Sequence, residues 1–206
     1  MADLLFCPTR RNQGTLERED VLGHTKVVGS TLVDVIDTKP MAKTKHCLIT
    51  LHRPELVDDV TTLSRVTEAI GEWLRLHDLR GVFPVHPRTR GSLDTSGLQS
   101  IDLTDPQSPK TTWSLIKQSP YVFTDSGGIQ EEACILGTKC FTLRPNTERQ
   151  ETTQLGANVL ISPRRDVEAL VRSFDLAKWR DNWEHPYGSK VAQKIVEHTA
   201  FLYGKS

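Results

Sequence analysis

Net charge, cysteine and long apolar runs are all scarce in this chain of 206 residues. Its 26 basic and 26 acidic side chains cancel, which leaves no electrostatic footprint for DNA, RNA or an anionic membrane surface. The pairs Arg10-Arg11, Arg88-Thr-Arg90 and Arg164-Arg165 are short and read as solvated surface. No run of about 18 apolar residues occurs, so no membrane-spanning helix is expected. The start, Met1-Ala-Asp-Leu-Leu-Phe-Cys-Pro8, lacks the basic and apolar regions of a signal peptide, and a cytoplasmic location is the expectation. Cys7, Cys47, Cys134 and Cys140 form no CxxC pair, and no histidine stands at finger-like spacing from them. No metal site is expected, and Cys47, Cys134 and Cys140 read as small buried hydrophobes in a reducing compartment.

Short apolar runs recur at 26–29, 47–51, 82–85, 101–103, 121–124, 140–143 and 158–161. Several are continuous rather than alternating, as in strands buried on both faces. Between them lie segments of helical spacing: Val60 to Leu74, a helix around Trp113 to Ile116, and Ile129 to Leu136 with Gly137 as its stop. Two more start at Val167 and Val191. This alternation predicts an α/β fold, a single Rossmann-like, doubly wound parallel sheet. Residues 88–108 are rich in Thr, Ser, Gly, Asp and Pro and predict a long surface loop. The stretch through Asp20 is polar after Thr9 and does not begin a recognisable domain, while the last helix carries an apolar stripe that needs covering.

The segment Tyr121-Val-Phe-Thr-Asp-Ser-Gly-Gly-Ile-Gln-Glu-Glu-Ala133 carries the most chemistry. A buried strand runs into a Gly-Gly turn and then a helix. That start offers free N–H groups and a partial positive charge to a phosphate. Ser126 can cap the helix or donate to a phosphate oxygen. The glycine pair alone fits an ordinary flexible turn as well. Glu131 and Glu132 are placed in the first helical turn, one a structural acid and one a candidate acceptor for ribose hydroxyls. After the next strand, Arg144 and Arg149 can clamp a diphosphate. Ile49-Thr-Leu-His-Arg53 and Phe83-Pro-Val-His-Pro87 put His52 and His86 at the carboxyl ends of two further strands, which points to a shared site.

These segments in this order, with Thr147-Glu-Arg149 and Pro186-Tyr-Gly188, resemble the C-terminal domain of the non-hydrolysing UDP-N-acetylglucosamine 2-epimerases. The resemblance covers almost the whole chain. It implies the C-terminal half of a glycosyltransferase-B-type two-domain fold, with no metal or redox cofactor. It further implies interconversion of UDP-GlcNAc and UDP-ManNAc by elimination and re-addition of UDP, in polysaccharide biosynthesis. By position, His52 assists departure of UDP and Arg149 neutralises the growing diphosphate charge. Ser126, Gly127 and Gly128 hold phosphate, Glu132 grips the ribose, and Arg53 and His86 match positions for a second, activating UDP-GlcNAc. The uracil-stacking aromatic falls near Thr112, with Trp113 one residue off. Thr147-Glu-Arg-Gln-Glu151 departs from the family's TERPE but keeps the arginine.

The resemblance divides the chain into a linker from the other domain (1–24), a UDP-binding domain (25–187) and a C-terminal crossover helix (188–206). The family's N-terminal domain, which supplies carboxylates for proton transfer at C2, is expected to have no counterpart in these residues. The expected partners are therefore UDP or UDP-GlcNAc and a separate N-terminal-domain polypeptide or a second copy, and the isolated chain is expected to bind UDP without turning substrate over. A stand-alone UDP-sugar binding module, a UDP-sugar glycosyltransferase-like domain and a hydrolysing epimerase are the alternatives.

Overall fold

The computed structural model describes residues 2–91, 93 and 98–204. It divides into two compact units, one made of the chain up to Thr38 with the segment from Glu184 onward, the other of Lys39–Trp183. The first begins with β1 (Leu4–Cys7), α1 (Arg10–Arg18) and β2 (His24–Val27), the two strands pairing in parallel from Leu4 opposite His24 to Cys7 opposite Val27. The strand expected at 26–29 is therefore shifted, and it pairs with β1 outside the main sheet. The stretch through Asp20, in which the sequence marks no domain start, holds a strand and a helix. No residue of α1 is buried, so it has no apolar stripe by which periodicity could find it.

The second unit runs β3 (His46–Thr50), α2 (Pro54–Val57), α3 (Val60–Leu76), β4 (Arg80–Pro84), α4 (Pro87–Arg90), β5 (Ile101–Thr104) and α5 (Pro109–Gln118). It continues with β6 (Tyr121–Thr124), α6 (Gly127–Ile135), β7 (Lys139–Thr142), α7 (Gln150–Gln154), β8 (Asn158–Leu160) and α8 (Val167–Asp175). Its six strands lie in the order β5-β4-β3-β6-β7-β8 and every pairing is parallel. The chain starts in the middle at β3, winds outward to β5, and returns beside β3 to wind the other way. The crevice beyond the carboxyl ends of β3 and β6 is thus the switch point where such sheets bind ligands. Within the loop expected at 88–108, α4 forms and Leu93 and Leu98 are buried; residues 92 and 94–97 lie outside the described residues.

Alternation along the strands divides two cores. Cys47 and Ile49, Phe123 and Phe141 join Leu63, Val66, Ile70, Trp73 and Leu74 of α3 on one face. Leu48, Val122 and Cys140 join Ile116 and Ala133 on the other. The first face is aromatic: Phe123 and Phe141 stack at 4.9 Å, and Trp73 and Phe174 meet Phe141 edge-on at 5.7 and 5.1 Å. All four cysteines are buried and free, and burial pushes the Cys47 and Cys140 thiols up to about 12. Gly137 stops α6 as expected: its φ is +71°, and the Thr138 N–H returns to the Ala133 carbonyl at 2.9 Å.

The last helix, α9 (Val191–Tyr203), belongs to the first unit. Its N-cap, Lys190, is left-handed and gives no side-chain cap. Asp34 supplies it, accepting from the Val191 and Ala192 N–H groups at 3.1 and 2.7 Å. Val196 and Phe201 on this helix are each 66% exposed. No described helix is long and apolar enough to cross a membrane.

Candidate functional site

Three strand ends build the site, and one buried carboxylate joins the first two. Asp125, just past β6, is 1% exposed and accepts the backbone N–H of Arg53 at 2.8 Å. Both its oxygens also face the His52 N–H, at 3.0 and 3.2 Å. The His52 ring places Nδ1 3.3 Å from the same carboxylate, with the side chain 57% exposed. Nε2 is thereby the imidazole atom left for a ligand. A buried carboxylate is held only where donors surround it, so Asp125 fixes both the path of the β3 loop and the aim of His52. Sequence reading passed over Asp125. The available signal was an acid set between a fully buried strand and a capping serine.

Ser126 is the N-cap of α6, its Oγ accepting from the Ile129 N–H at 3.5 Å. The Gly127 and Gly128 amides, in the first helical positions, have no intrahelical acceptor. Neither glycine has a positive φ, so backbone freedom does not explain the pair. Space does at Gly127, where a β-carbon would overlap Glu148 Oε1. Gly128 is exposed, and a β-carbon there would make only an ordinary 3.7 Å contact with Ser126 Oγ. The site then lies open above Gly128 and beneath Glu148 at Gly127.

Glu131 and Glu132 stand in the second turn of α6, because the helix starts at Gly127. The helix dipole therefore does not account for them, a correction to the first-turn placement. Glu131 is buried and faces Arg149 Nε at 2.8 Å, an ion pair by distance rather than an aligned hydrogen bond. Glu132 is half-buried. Desolvation raises its pKa and neighbouring Glu131 adds to this, while the Trp113 indole N–H opposes it without completing a full hydrogen bond. The structure thus brings Glu132 and Trp113 together.

The Thr147–Arg149 turn is tied down by Gln130, which sequence reading also missed. Its carbonyl accepts from Thr147 Oγ1 at 2.7 Å, and its amide donates to Thr152 Oγ1 at 2.6 Å and the Arg149 carbonyl at 3.2 Å. Both arginines of the expected clamp already face glutamates. Arg149 has Glu131, and Arg144 Nη1 donates to Glu148 Oε2 at 3.0 Å. Arg53 Nη2 lies 3.8 Å from the other oxygen of Glu148, and its buried Nε has no hydrogen-bond partner among the described residues. The Glu148 carboxyl is pulled up by desolvation but held below its usual range by its own backbone N–H and by Arg144 and Arg53. His86 sits past β4, one strand over at the same edge. A cavity of about 350 Å³ flanks these groups, lined by Arg53, Asp125, Leu143, Arg144, Pro145 and Arg164 among others. Among the described residues no cluster of three or more His, Cys, Asp or Glu side chains is placed to hold a metal.

A doubly wound parallel sheet with a capped Gly-Gly helix start at its switch point defines a Rossmann-like domain of the glycosyltransferase-B kind. A family model described as UDP-N-acetylglucosamine 2-epimerase matches residues 1–199, and the chain belongs to that family. The UDP-N-acetylglucosamine 2-epimerase of Methanocaldococcus jannaschii is 33% identical over the whole chain and 62% of its own length. The UDP-2,3-diacetamido-2,3-dideoxy-D-glucuronate 2-epimerase of Pseudomonas aeruginosa is 32% identical over 98% of the chain and 61% of its own. In structure, the M. jannaschii enzyme in complex with UDP-GlcNAc and UDP superposes with a TM-score of 0.82 at 32% identity, covering 97% of this chain and 61% of that one. The S. aureus MnaA–UDP structure gives 0.82 at 25% identity, covering 98% and 60%. The chain therefore spans about 60% of the length of these relatives.

Proposed function

We propose that this chain holds the UDP moiety of UDP-GlcNAc for a 2-epimerase reaction and supplies the groups that stabilise UDP as it leaves. The observation that carries this reading is the Asp125 junction, which sets His52 and Arg53 beside the free amides at the start of α6. The diphosphate sits on Ser126, Gly127 and Gly128, the ribose hydroxyls on Glu132 and the uracil on Trp113. In the reaction the C1–O bond to UDP breaks as the C2 proton departs from the opposite face, giving 2-acetamidoglucal and UDP. Re-addition of UDP, with protonation of C2 on the other face, gives UDP-ManNAc. Charge grows on the diphosphate as C1–O breaks, so fixed donors there lower the barrier. His52 Nε2 and Arg149 are assigned that role. Arg53 and His86, just past adjacent strands, are assigned to an activating second UDP-GlcNAc, with Arg53 also within reach of the diphosphate seat.

Proton transfer at C2 needs a base within hydrogen-bond reach of that carbon. We assign it to the part of the family architecture that this chain does not span, contributed by an N-terminal-domain partner. The exposed apolar side chains of α9, Val196, Phe201 and Leu202, offer that partner apolar contacts. The P. aeruginosa relative raises a second substrate, a UDP-sugar bearing a carboxylate. The presence of Arg164 with Arg53 and Arg144 around the flanking cavity favours it.

Calorimetry of the 206-residue protein with UDP, UDP-GlcNAc and a UDP-uronate sugar tests the binding reading and ranks the two substrates. A coupled assay for UDP-ManNAc tests the division of labour: the chain alone is expected to bind UDP and form no product. Absence of heat with millimolar UDP from a folded sample sinks the binding reading, and turnover by the chain alone sinks the assignment of the C2 base.

A further inference from the structure

Above the start of α6 the protein already holds an anion, and it is its own. Glu148 Oε1 occupies the place where a Gly127 β-carbon would stand. Its other oxygen takes Arg144 Nη1 at 3.0 Å, and Arg53 Nη2 waits 3.8 Å from the first. A helix start and two guanidinium groups are the partners a phosphate group would use. We propose that the Glu148 carboxylate is a resident counter-anion of the phosphate seat, which an incoming nucleoside diphosphate displaces, freeing Arg53 and Arg144 to bind it. This rests on the nucleotide reading given above and adds to it a built-in competitor that lowers affinity.

Three observations favour displacement over a permanent structural pair. The Glu148 side chain is 48% exposed and reaches the seat with the end of a flexible chain, so rotation about its own torsions clears the site. The backbone beneath it is fixed independently, since Gln130 binds Thr147 and the Arg149 carbonyl and does not touch Glu148. The Arg53 guanidinium is under-used, with Nε buried and unpartnered among the described residues. A phosphate group in place of the carboxylate would offer Arg144 an oxygen instead of Oε2 and gain the Arg53 donors that the carboxylate leaves idle.

The test is calorimetry of wild type, Glu148→Gln and Glu148→Ala with UDP, inorganic pyrophosphate and uridine, with thermal melts of each protein with and without saturating UDP. Removing a like charge from the seat should tighten UDP and pyrophosphate binding by roughly three- to tenfold and leave uridine unchanged. The gain should shrink as salt is raised toward about 0.5 M. Both variants should melt lower than wild type when free and level with it when saturated with UDP, a pattern that a purely structural glutamate would not produce. If wild type binds UDP and both variants bind it equally or more weakly, the competitor is disproved while the nucleotide reading stands. If none of the three proteins binds UDP or pyrophosphate, the nucleotide reading itself falls, and the competitor with it.

Discussion

Arg149 and Arg144 both face a glutamate at the carboxyl edge of the sheet, but the two pairs are built differently. Glu131 is 4% exposed, on a helix, against a half-buried arginine whose turn is anchored by Gln130. Glu148 is 48% exposed and lies on the loop, over the glycine that starts that helix. Stranding a buried charge costs several kcal/mol, whereas an exposed pair is worth about 1 kcal/mol or less. The same two residue types thus make one fixed strut and one replaceable contact. With Asp125, Glu131 belongs to the frame of the site and holds Arg149 for its work; with Arg53 and Arg144, Glu148 belongs to the working surface.

The comparison is broken most directly at Asp125. Asp125→Ala leaves two backbone N–H groups and His52 without their acceptor, and should cost about 3–5 kcal/mol in urea unfolding and abolish UDP binding. A loss below about 1 kcal/mol would remove Asp125 from the frame. Glu131→Ala strands Arg149 and should cost about 2–4 kcal/mol. If Glu148→Ala costs as much as Glu131→Ala in the same denaturant series, the contrast between the pairs is lost. Ser126→Ala removes the cap of α6 and should cost about 1 kcal/mol, with UDP weakened roughly tenfold by calorimetry. Gly127→Ala sharpens the point, since its β-carbon meets only the movable end of Glu148. A loss of less than about 1 kcal/mol in free-protein stability is expected, because that side chain can swing away.

The smallest effect is at Glu132. Its pKa is raised in the fold by desolvation, so the folded state holds that proton more tightly than the unfolded chain does. The stability this brings is present below the unfolded pKa and lost as pH rises through the folded one. Above the folded pKa the half-buried carboxylate is charged and a liability. Glu132→Gln should therefore melt slightly above wild type once the pH exceeds the folded pKa and level with it in acid, while binding UDP more weakly. A variant that melts lower at neutral pH would place Glu132 in the frame instead.

Much of this was legible in the sequence, for reasons that also explain what was not. Continuous apolar runs marked β3, β6 and β7 because both faces of those strands are covered. The stripe from Val60 to Leu74 marked α3 because Leu63, Val66, Ala69, Ile70, Trp73 and Leu74 on it are buried, although Val60 at its start is exposed. α1 stayed hidden because nothing on it is buried. At the site, residue types and their strand ends were readable, but pairings were not. Glu131, Glu132 and Glu148 look alike in sequence, and only the helix register and the fold of the 144–149 loop decide which is buried and which arginine each meets. Asp125 and Gln130 escaped notice because their hydrogen-bond partners lie in distant segments, which leaves no local pattern.

Because the first turn of the final helix is capped by Asp34, 157 positions upstream, α9 cannot complete itself from local sequence. Deleting the opening stretch through Thr38 would therefore fray the far end of the chain, and a protein trimmed at its start should be judged by the order of its tail.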